Sequence, residues 1–361
     1  MSYTLLATVF NNDLTMVGTY PALSYNLMFD AIANETSTVI IKDTKGVFEG
    51  GYIALRENNS SKILYYGQII TVDTDTQSKL MTLSTNYIWN VLNGDILVTN
   101  RTGESYEQHI KVLIQKYSTA LGNVFQDLST GSFVVPYEVT SSDGAQVKNF
   151  IDYLIRGFKL HNVLLSVDGI SQGTLSNGKP YFYPKVVIKQ ISKTVSFNDK
   201  NWAFRNFKVT DSRNLRGYAN ELWIVDKTTV DMENPVIMGK YWLQTDGLVV
   251  NRINDLVNQP TQVSIYLYDK TATDNPDNDS IGRANLGGNS YSHNIQFSVD
   301  IKNDFLGIDH IMLGLQANIL YQGKTYKSIL TGYELSSDSN EIRFTFGNLR
   351  FGKKDLVSND I

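Results

Sequence analysis

The chain has 361 residues, of which 42% are hydrophobic and 19% are charged, and its formal net charge is -4. This balance excludes an intrinsically disordered chain and predicts two or three folded domains. The chain contains no cysteine, which excludes disulfides and thiolate chemistry, and its scattered lysines and arginines predict no direct sequence-specific binding of nucleic acid.

The opening segment, "MSYTLLATVFNNDLTM", has neither a charged leader nor a long apolar core, so it predicts no signal peptide. No apolar run in the sequence approaches the roughly 20 residues that a membrane-spanning helix needs. We therefore expect a protein that is synthesised in a cytoplasm and has no membrane-spanning segment.

Residues 1–100 are predicted to form short β-strands. Four segments are rich in β-branched and aromatic residues and are separated by Asn, Asp, Gly and Ser: 37–43, 50–55, 62–73 and 79–85. Such regular spacing is typical of a small barrel or sandwich. We expect residues 1–100 to form a first β-barrel-like domain, completed by part of 198–240.

The pattern then becomes helical. Ser105 and Gln108 have the spacing of a capping box, and the residues behind them predict one apolar helix face: Ile110, Leu113, Ile114, Tyr117 and Leu121, with Gly122 as the stop. Behind Asp143, a second amphipathic helix is predicted from Val147, Phe150, Ile151, Leu154, Ile155 and Phe158. With strands at 162–169 and 183–192, these helices form an expected α+β insert domain of residues 101–197.

Residues 198–361 return to the strand pattern and predict a second β-barrel-like domain with connecting strands. The polar stretch 269–290 has several turn-forming residues and is predicted to be a long exposed loop. The predicted fold class is therefore α+β, mainly β, with two small β-barrel-like domains flanking an α+β insert.

Two segments of the sequence share the order strand, polar turn, strand: "LYYGQIITVDTDTQSKLMTLS" (64–84) and "TYKSILTGYELSSDSNEIRFTFG" (325–347). Our alignment places Ile311 and Leu313 on a strand and matches Ile53 with Ile311, Ile69 with Ile329, and Asp73 with Glu334. This match predicts an internal duplication, although two β-meanders can also resemble each other by chance. With a duplication, three copies of the chain could place six similar barrels around one axis.

These segments resemble the baseplate hub, or tail-associated, proteins of tailed bacteriophages. The resemblance rests on "GQIITVDTDTQSKLMTLS", on "ILYQGKTYKSILTGYELSSDSNEIRFTFGNLR", and on the order of the helical insert, "NELWIVDK" and "GKYWLQTDG". It extends over most of the chain, which resembles the hub portion alone. Many relatives continue into a peptidoglycan-cutting domain or a fibre, and no residues of this chain match that lytic part.

The resemblance implies a structural component of the virion tail tip. Such a protein forms a homotrimeric hub ring that closes the tail tube and contacts the distal tail protein and other tail or baseplate proteins. Two alternatives remain open from the sequence: a carbohydrate- or receptor-binding module of the same virion, and a cell-wall-degrading tail protein.

No residue is predicted to be catalytic, to bind a cofactor or to ligate a metal. The histidines His109, His161, His293 and His310 lack metal-site spacing, and His109 is expected to be solvated. Asp73 and Asp75, and the trio Asp274, Asp277 and Asp279, are expected to form turns rather than a glycosidase pair or a calcium loop. The aromatic residues Trp202, Trp223, Tyr241 and Trp242 are expected in a core or a subunit interface rather than in a sugar site.

Overall fold

A computed structural model describes residues 4–31, 35–58, 60–98, 105–117, 124–131, 146–198, 204–210, 219–245, 247–257, 260–271, 277–286, 291 and 293–349. Within these ranges the protein has many short strands and three α-helices. The predicted class, α+β and mainly β, is confirmed.

The first part of the chain, through the insert, contains β1 (Leu5–Phe10), β2 (Met16–Pro21), β3 (Ser24–Asp30), β4 (Thr36–Lys42), β5 (Tyr52–Glu57), β6 (Ile63–Asp75), β7 (Leu80–Tyr87), a 3-10 turn (Ile88–Leu92), β8 (Asp95–Val98), α1 (Tyr106–Tyr117), β9 (Asp127–Thr130), β10 (Gln146–Asn149), α2 (Phe150–His161), β11 (Val163–Thr174) and β12 (Pro180–Gln190). The rest contains β13 (Thr194–Asn198), β14 (Arg205–Thr210), β15 (Glu221–Asp226), β16 (Ile237–Leu243), β17 (Val249–Val250), β18 (Val263–Tyr268), α3 (Asn278–Leu286), β19 (Asn294–Asp300), β20 (Gln316–Tyr321), β21 (Lys324–Ser336) and β22 (Glu341–Gly347).

One 13-stranded sheet joins the two ends of the chain. Its order is β14-β19-β22-β21-β3-β4-β7-β6-β5-β1-β2; β20 branches from β21, and β13 pairs with β20. The joint is the antiparallel pairing of β3 with β21, in which Met28 lies opposite Glu334. Strands of both halves, which we expected to form two small β-barrel-like domains, therefore lie in one sheet, and the sheets are not closed barrels.

The first half of the sheet bends sharply between β2 and β3. The amide of Ala22 donates to the carbonyl of Leu5 in β1 (2.9 Å), and the amide of Leu23 donates to Ile40 in β4 (2.8 Å). Adjacent residues thus bond to two different strands, so the sheet wraps around its own core. We expected part of 198–240 to complete this half; in the structure the strand that extends it is β21, and β14 pairs with β19.

The core of the large sheet follows from strand alternation. In β3, every second residue is buried, and the same alternation in β19 and β22 turns phenylalanines inward. Phe297 stacks on Phe346 with ring centroids 5.6 Å apart and lies 5.4 Å from Phe344. Fully burying each such ring contributes about 1.5–3 kcal/mol.

The two halves of the sheet repeat one run of strands. In chain order, β2 to β7 correspond to β13, β14, β19, β20, β21 and β22, and the pairing order β3-β4-β7-β6-β5 is repeated as β14-β19-β22-β21-β20. Both β6 and β21 have 13 residues, and the turns that follow, 76–79 and 337–340, have equal length. The equal strand lengths, turn lengths and pairing order support the duplication more strongly than the sequence similarity of the two segments does.

The pairing register of the two hairpins is also the same. Ile69 pairs with Thr85 in the first hairpin, and Leu330 pairs with Phe346 at the same position of the second. In each hairpin the next residue, Ile70 or Thr331, has no partner in the ladder and forms a β-bulge. Beyond this bulge, Asp73 and Glu334 occupy equivalent positions, as the sequence predicted. Two parts of our alignment were wrong: Ile69 matches Leu330 rather than Ile329, and Ile311 and Leu313 precede β20 instead of lying on a strand.

The insert contains α1, α2 and a three-stranded sheet of order β11-β12-β9. Ser105 caps α1 as predicted, with its Oγ accepting from the Gln108 amide at 3.1 Å. The second helix begins later than predicted, because Asn149 is its cap and accepts from the amides of Ile151 and Asp152. Val147 therefore lies in β10 and is 70% exposed. The predicted positions Leu121, Gly122 and Asp143 lie outside the described residues.

A second small unit, 219–286, interrupts the C-terminal half between β14 and β19. Four strands of order β17-β16-β15-β18 pack against α3 through Leu222, Ile224, Tyr241, Leu243, Ile281 and Leu286. The predicted loop 269–290 is thus partly helical. The sequence suggested a loop because the apolar positions of α3 are few, and only Ile281 and Leu286 belong to its buried core.

Candidate functional site

The four histidines have different surroundings. His109, which we expected to be solvated, is fully buried. Its Nδ1 is 3.0 Å from the Tyr153 hydroxyl. His293 is also buried, and its Nε2 lies 2.8 Å from the Ser328 hydroxyl. Burial, with a smaller effect of Arg156, lowers the pKa of His161 to about 4. In the described part of the chain, no three His, Cys, Asp or Glu residues come together as a metal site.

Asp75 forms the turn between β6 and β7. Its carboxylate accepts from the Gln77 amide at 2.9 Å and from the Ser78 hydroxyl at 2.6 Å. Both hydrogen bonds lower the pKa of Asp75, and the one from the Ser78 hydroxyl has the larger effect. A glycosidase acid needs the opposite shift and an apolar pocket. The turn interpretation of Asp75 therefore fits its geometry.

Asp277 and Asp279 serve α3. Asp277 accepts from the amide and the hydroxyl of Ser280, both at 2.8 Å, at the start of the helix. Asp279 accepts from the Tyr241 hydroxyl at 2.7 Å, and burial raises the pKa of Tyr241 to about 12. Asp274 lies outside the described residues. The two described carboxylates thus hold the small unit together through protein donors.

An exposed apolar surface lies on the sheet face of the small unit that α3 does not cover. Strand alternation turns Trp223 and Trp242 to this side, and Ile265, opposite Trp223, is 55% exposed. The Trp223 indole donates to Glu221 at 2.6 Å, and the Lys240 ammonium lies 4.1 Å from its ring centroid. We call this surface the Trp223 face. Exposed apolar patches of this kind mark protein contacts more often than they mark chemistry. Trp202 lies outside the described residues.

A cavity of about 220 Å³ lies where the insert meets the large sheet. Its lining comes from the end of β3, the 3-10 turn, α2 and β11, and is mainly apolar: Trp89, Ile151, Leu154, Ile155, Val163, Leu164 and Leu165, with Asp30, Ala31, Asn90 and Asp152. The volume is below the roughly 300 Å³ at which small-molecule pockets usually begin.

Several strand edges of the large sheet, among them those of β2, β13, β14 and the end of β6, carry no partner strand in the described part of the chain. β14 pairs on one side only, with β19. Residues 71–75 of β6 pair with β7, whereas the ladder to β5 ends at Gln68. Both stretches are largely exposed. Such edges are the usual sites for adding a strand from another chain.

No helix among the described residues is long and apolar enough to cross a membrane. No family model matches the chain, and no curated protein matches it by sequence. Structural similarity is nevertheless extensive. A tail protein from Neisseria meningitidis MC58 aligns with a TM-score of 0.53 at 10% identity, over 98% of this chain and 98% of that one.

Two prophage proteins give comparable alignments. The tail protein of prophage MuSo2 from Shewanella oneidensis has a TM-score of 0.53 at 10% identity and covers 98% of this chain and 99% of its own. A prophage tail protein from Listeria monocytogenes EGD-e has a TM-score of 0.50 at 9% identity, with 98% and 97% covered. Nearly the whole length is shared in each case, although identity is low. The fold of this chain is therefore that of phage tail proteins.

Proposed function

We propose that the protein is a structural component of a bacteriophage tail, and that it forms a homotrimeric hub ring at the tail tip. The observation that carries the proposal is the internal duplication inside a fold shared with prophage tail proteins. A chain with two like halves places six like units around a threefold axis. Closed rings of this kind leave no subunit edge unpaired.

In this role the ring closes the tail tube and connects the distal tail protein on one side with fibre or lysin components on the other. Its work is mechanical, so it depends on surface complementarity rather than on a reaction centre. The Trp223 face offers a contact for a neighbouring tail or baseplate protein, since it combines two indoles with exposed aliphatic side chains. The protein is made in the host cytoplasm and is carried in the virion.

Native mass spectrometry and light scattering of the purified chain test the proposal. The expected species is a trimer, and negative-stain images should show rings with sixfold-like density. A permanent interface of this type buries about 2,000 Å² or more, so the trimer should persist on dilution to the low micromolar range. A chain that stays monomeric at high concentration would contradict the ring.

A further inference from the structure

The contact between the two halves of one chain predicts a second contact that one chain cannot make. Within the chain, β3 of the first half pairs with β21 of the second, and Asn26 lies opposite Ser336. In a ring of alternating halves, each half has two neighbours. The β3–β21 contact provides one of them, so the other has to come from a second copy.

The duplication identifies the strands of that missing contact. The counterpart of β21 is β6, and the counterpart of β3 is β14. Residues 332–336 of β21, which pair with β3, correspond to residues 71–75 of β6. These are the residues whose second edge has no strand in the described part of the chain, and β14 likewise has one unpaired edge.

The register follows from residues that the two halves share. Thr38 in β4 faces Ser84, the partner of Thr71, and Gln296 in β19 faces Thr345, the partner of Gly332. Thr38 and Gln296 are therefore equivalent. Asn26 faces Thr38, and Lys208 faces Gln296, so Lys208 is the counterpart of Asn26. Asp75 and Ser336 are counterparts as the last residues of β6 and β21.

We infer that β14 of one copy pairs antiparallel with residues 71–75 of β6 in a second copy, with Lys208 opposite Asp75 and Thr210 opposite Asp73. This inference rests on the proposed ring and names its subunit contact. Three such contacts close a trimer and reproduce the β3–β21 joint between copies. The ring then alternates joints within and between chains.

The charges of the two edges are complementary. Residues 71–75 carry Asp73 and Asp75, whereas β14 carries Lys208 and also Arg205, which pairs with Glu341 of its own chain; all four residues lie on exposed positions. Opposite charges directly across a strand pair are favourable, and like charges are unfavourable. In the β3–β21 joint the equivalents Asn26 and Ser336 are uncharged, so the charge pattern distinguishes the joint between copies from the joint within one. This difference disfavours exchange of strands between the two kinds of joint.

Engineered cysteines test the register directly, because the chain has no cysteine of its own. One variant combines Asp73→Cys with Thr210→Cys, and another combines Thr74→Cys with Val209→Cys. Successive pairs of an antiparallel ladder alternate between two Cα spacings, so the two variants sample both. After mild oxidation, non-reducing electrophoresis should show a covalent trimer. The single variants, and Asp73→Cys with Lys327→Cys as a mismatched pair, should give no covalent trimer.

Charge reversal gives an independent measurement. Lys208→Glu places a third acid at the joint and should weaken trimer formation about tenfold or more, whereas Lys327→Glu, on the exposed start of β21, should leave it unchanged. A trimer that forms no disulfide in either double variant and tolerates Lys208→Glu overturns this contact but leaves the proposed ring intact. A wild-type chain that remains monomeric overturns the ring as well.

Discussion

Ile70 and Thr331 are each the extra residue of a β-bulge at the same position of a 13-residue strand. The two environments have diverged, since Ile70 is 40% exposed while Thr331 is 1% exposed. Bulges bend the strand that carries them and increase its twist. Both halves thus contain the bulge, although the residue at the bulge differs between them.

Removing the hydroxyl of Thr331 should be costly. Its Oγ1 donates to the Thr345 carbonyl at 3.1 Å inside the sheet. We expect Thr331→Ala to reduce the free energy of unfolding by about 1–2 kcal/mol in urea denaturation. Ile70→Ala, at the more exposed bulge, should cost less than about 1 kcal/mol. Equal losses at the two positions would contradict the assigned hydrogen bond.

Asn162 should be among the most sensitive positions of the insert. It ends α2 in the left-handed conformation, with φ 53°, and its Nδ2 donates to the carbonyls of Ile191 (2.6 Å) and Gly314 (2.8 Å). Asn162→Ala should cost about 2–4 kcal/mol, because it removes the side-chain donor of the Gly314 carbonyl, leaves the Ile191 carbonyl with only the 3.4 Å bond from Gln316 Nε2, and strains the backbone.

The matched control is Asn162→Gly, which keeps the left-handed backbone and removes only the side chain. Its loss should be smaller than that of Asn162→Ala by about 1 kcal/mol. If the two variants unfold at the same urea concentration, backbone conformation makes no contribution at this site. Far-UV circular dichroism follows the unfolding of both.

Gly157 allows α1 and α2 to come close. A Cβ at this position would overlap the Tyr106 ring, and Tyr106 is buried and donates to the Tyr153 carbonyl. Gly157→Ala should therefore destabilise the protein by about 1–3 kcal/mol, although alanine is the better helix former. Gly169→Ala is the control, since a Cβ there meets nothing within 4 Å, and its unfolding midpoint should match wild type.

Acid should selectively weaken the small unit. The Lys270 ammonium, 2.7 Å from Asp226, and the hydroxyl and amide of Thr228 lower the pKa of Asp226 from 3.8 to about 2. A depressed carboxyl pKa contributes stability that is present above about pH 4 and is lost as the pH falls towards 2. Thermal unfolding of wild type and Asp226→Asn should differ at pH 6 and converge near pH 2. A difference that stays constant over this range would refute the assignment.

The chain alone should not digest cell walls. Asp73 and Asp75 lie on an exposed hairpin, and His109 and His293 are buried beside the hydroxyls of Tyr153 and Ser328. Zymography on bacterial cell walls should show no clearing at concentrations where lysozyme clears, and a glycan array should show no binding. Clearing that survives repurification would favour the enzymatic alternative, and sugar binding would favour the receptor-binding one.

Local patterns predicted the hairpins, both cap-bearing helices of the insert and the strand character of both ends. They failed where long-range pairing decides the outcome. Nothing in "SYNLMFD" (24–30) indicates that it pairs with residues more than 300 positions later, so the pairing that joins the two halves was not predicted. They also failed for α3, whose polar surface hides its few buried residues, and for His109, whose burial depends on Tyr153 from another helix.

The β3–β21 joint also determines when the protein can fold. During translation β3 leaves the ribosome more than 300 residues before β21, the strand that covers its edge. Loop closure over such a separation is slow, and open strand edges favour aggregation in the meantime. Expression yield should therefore depend on chaperones that shelter the nascent first half until β21 and β22 have been synthesised.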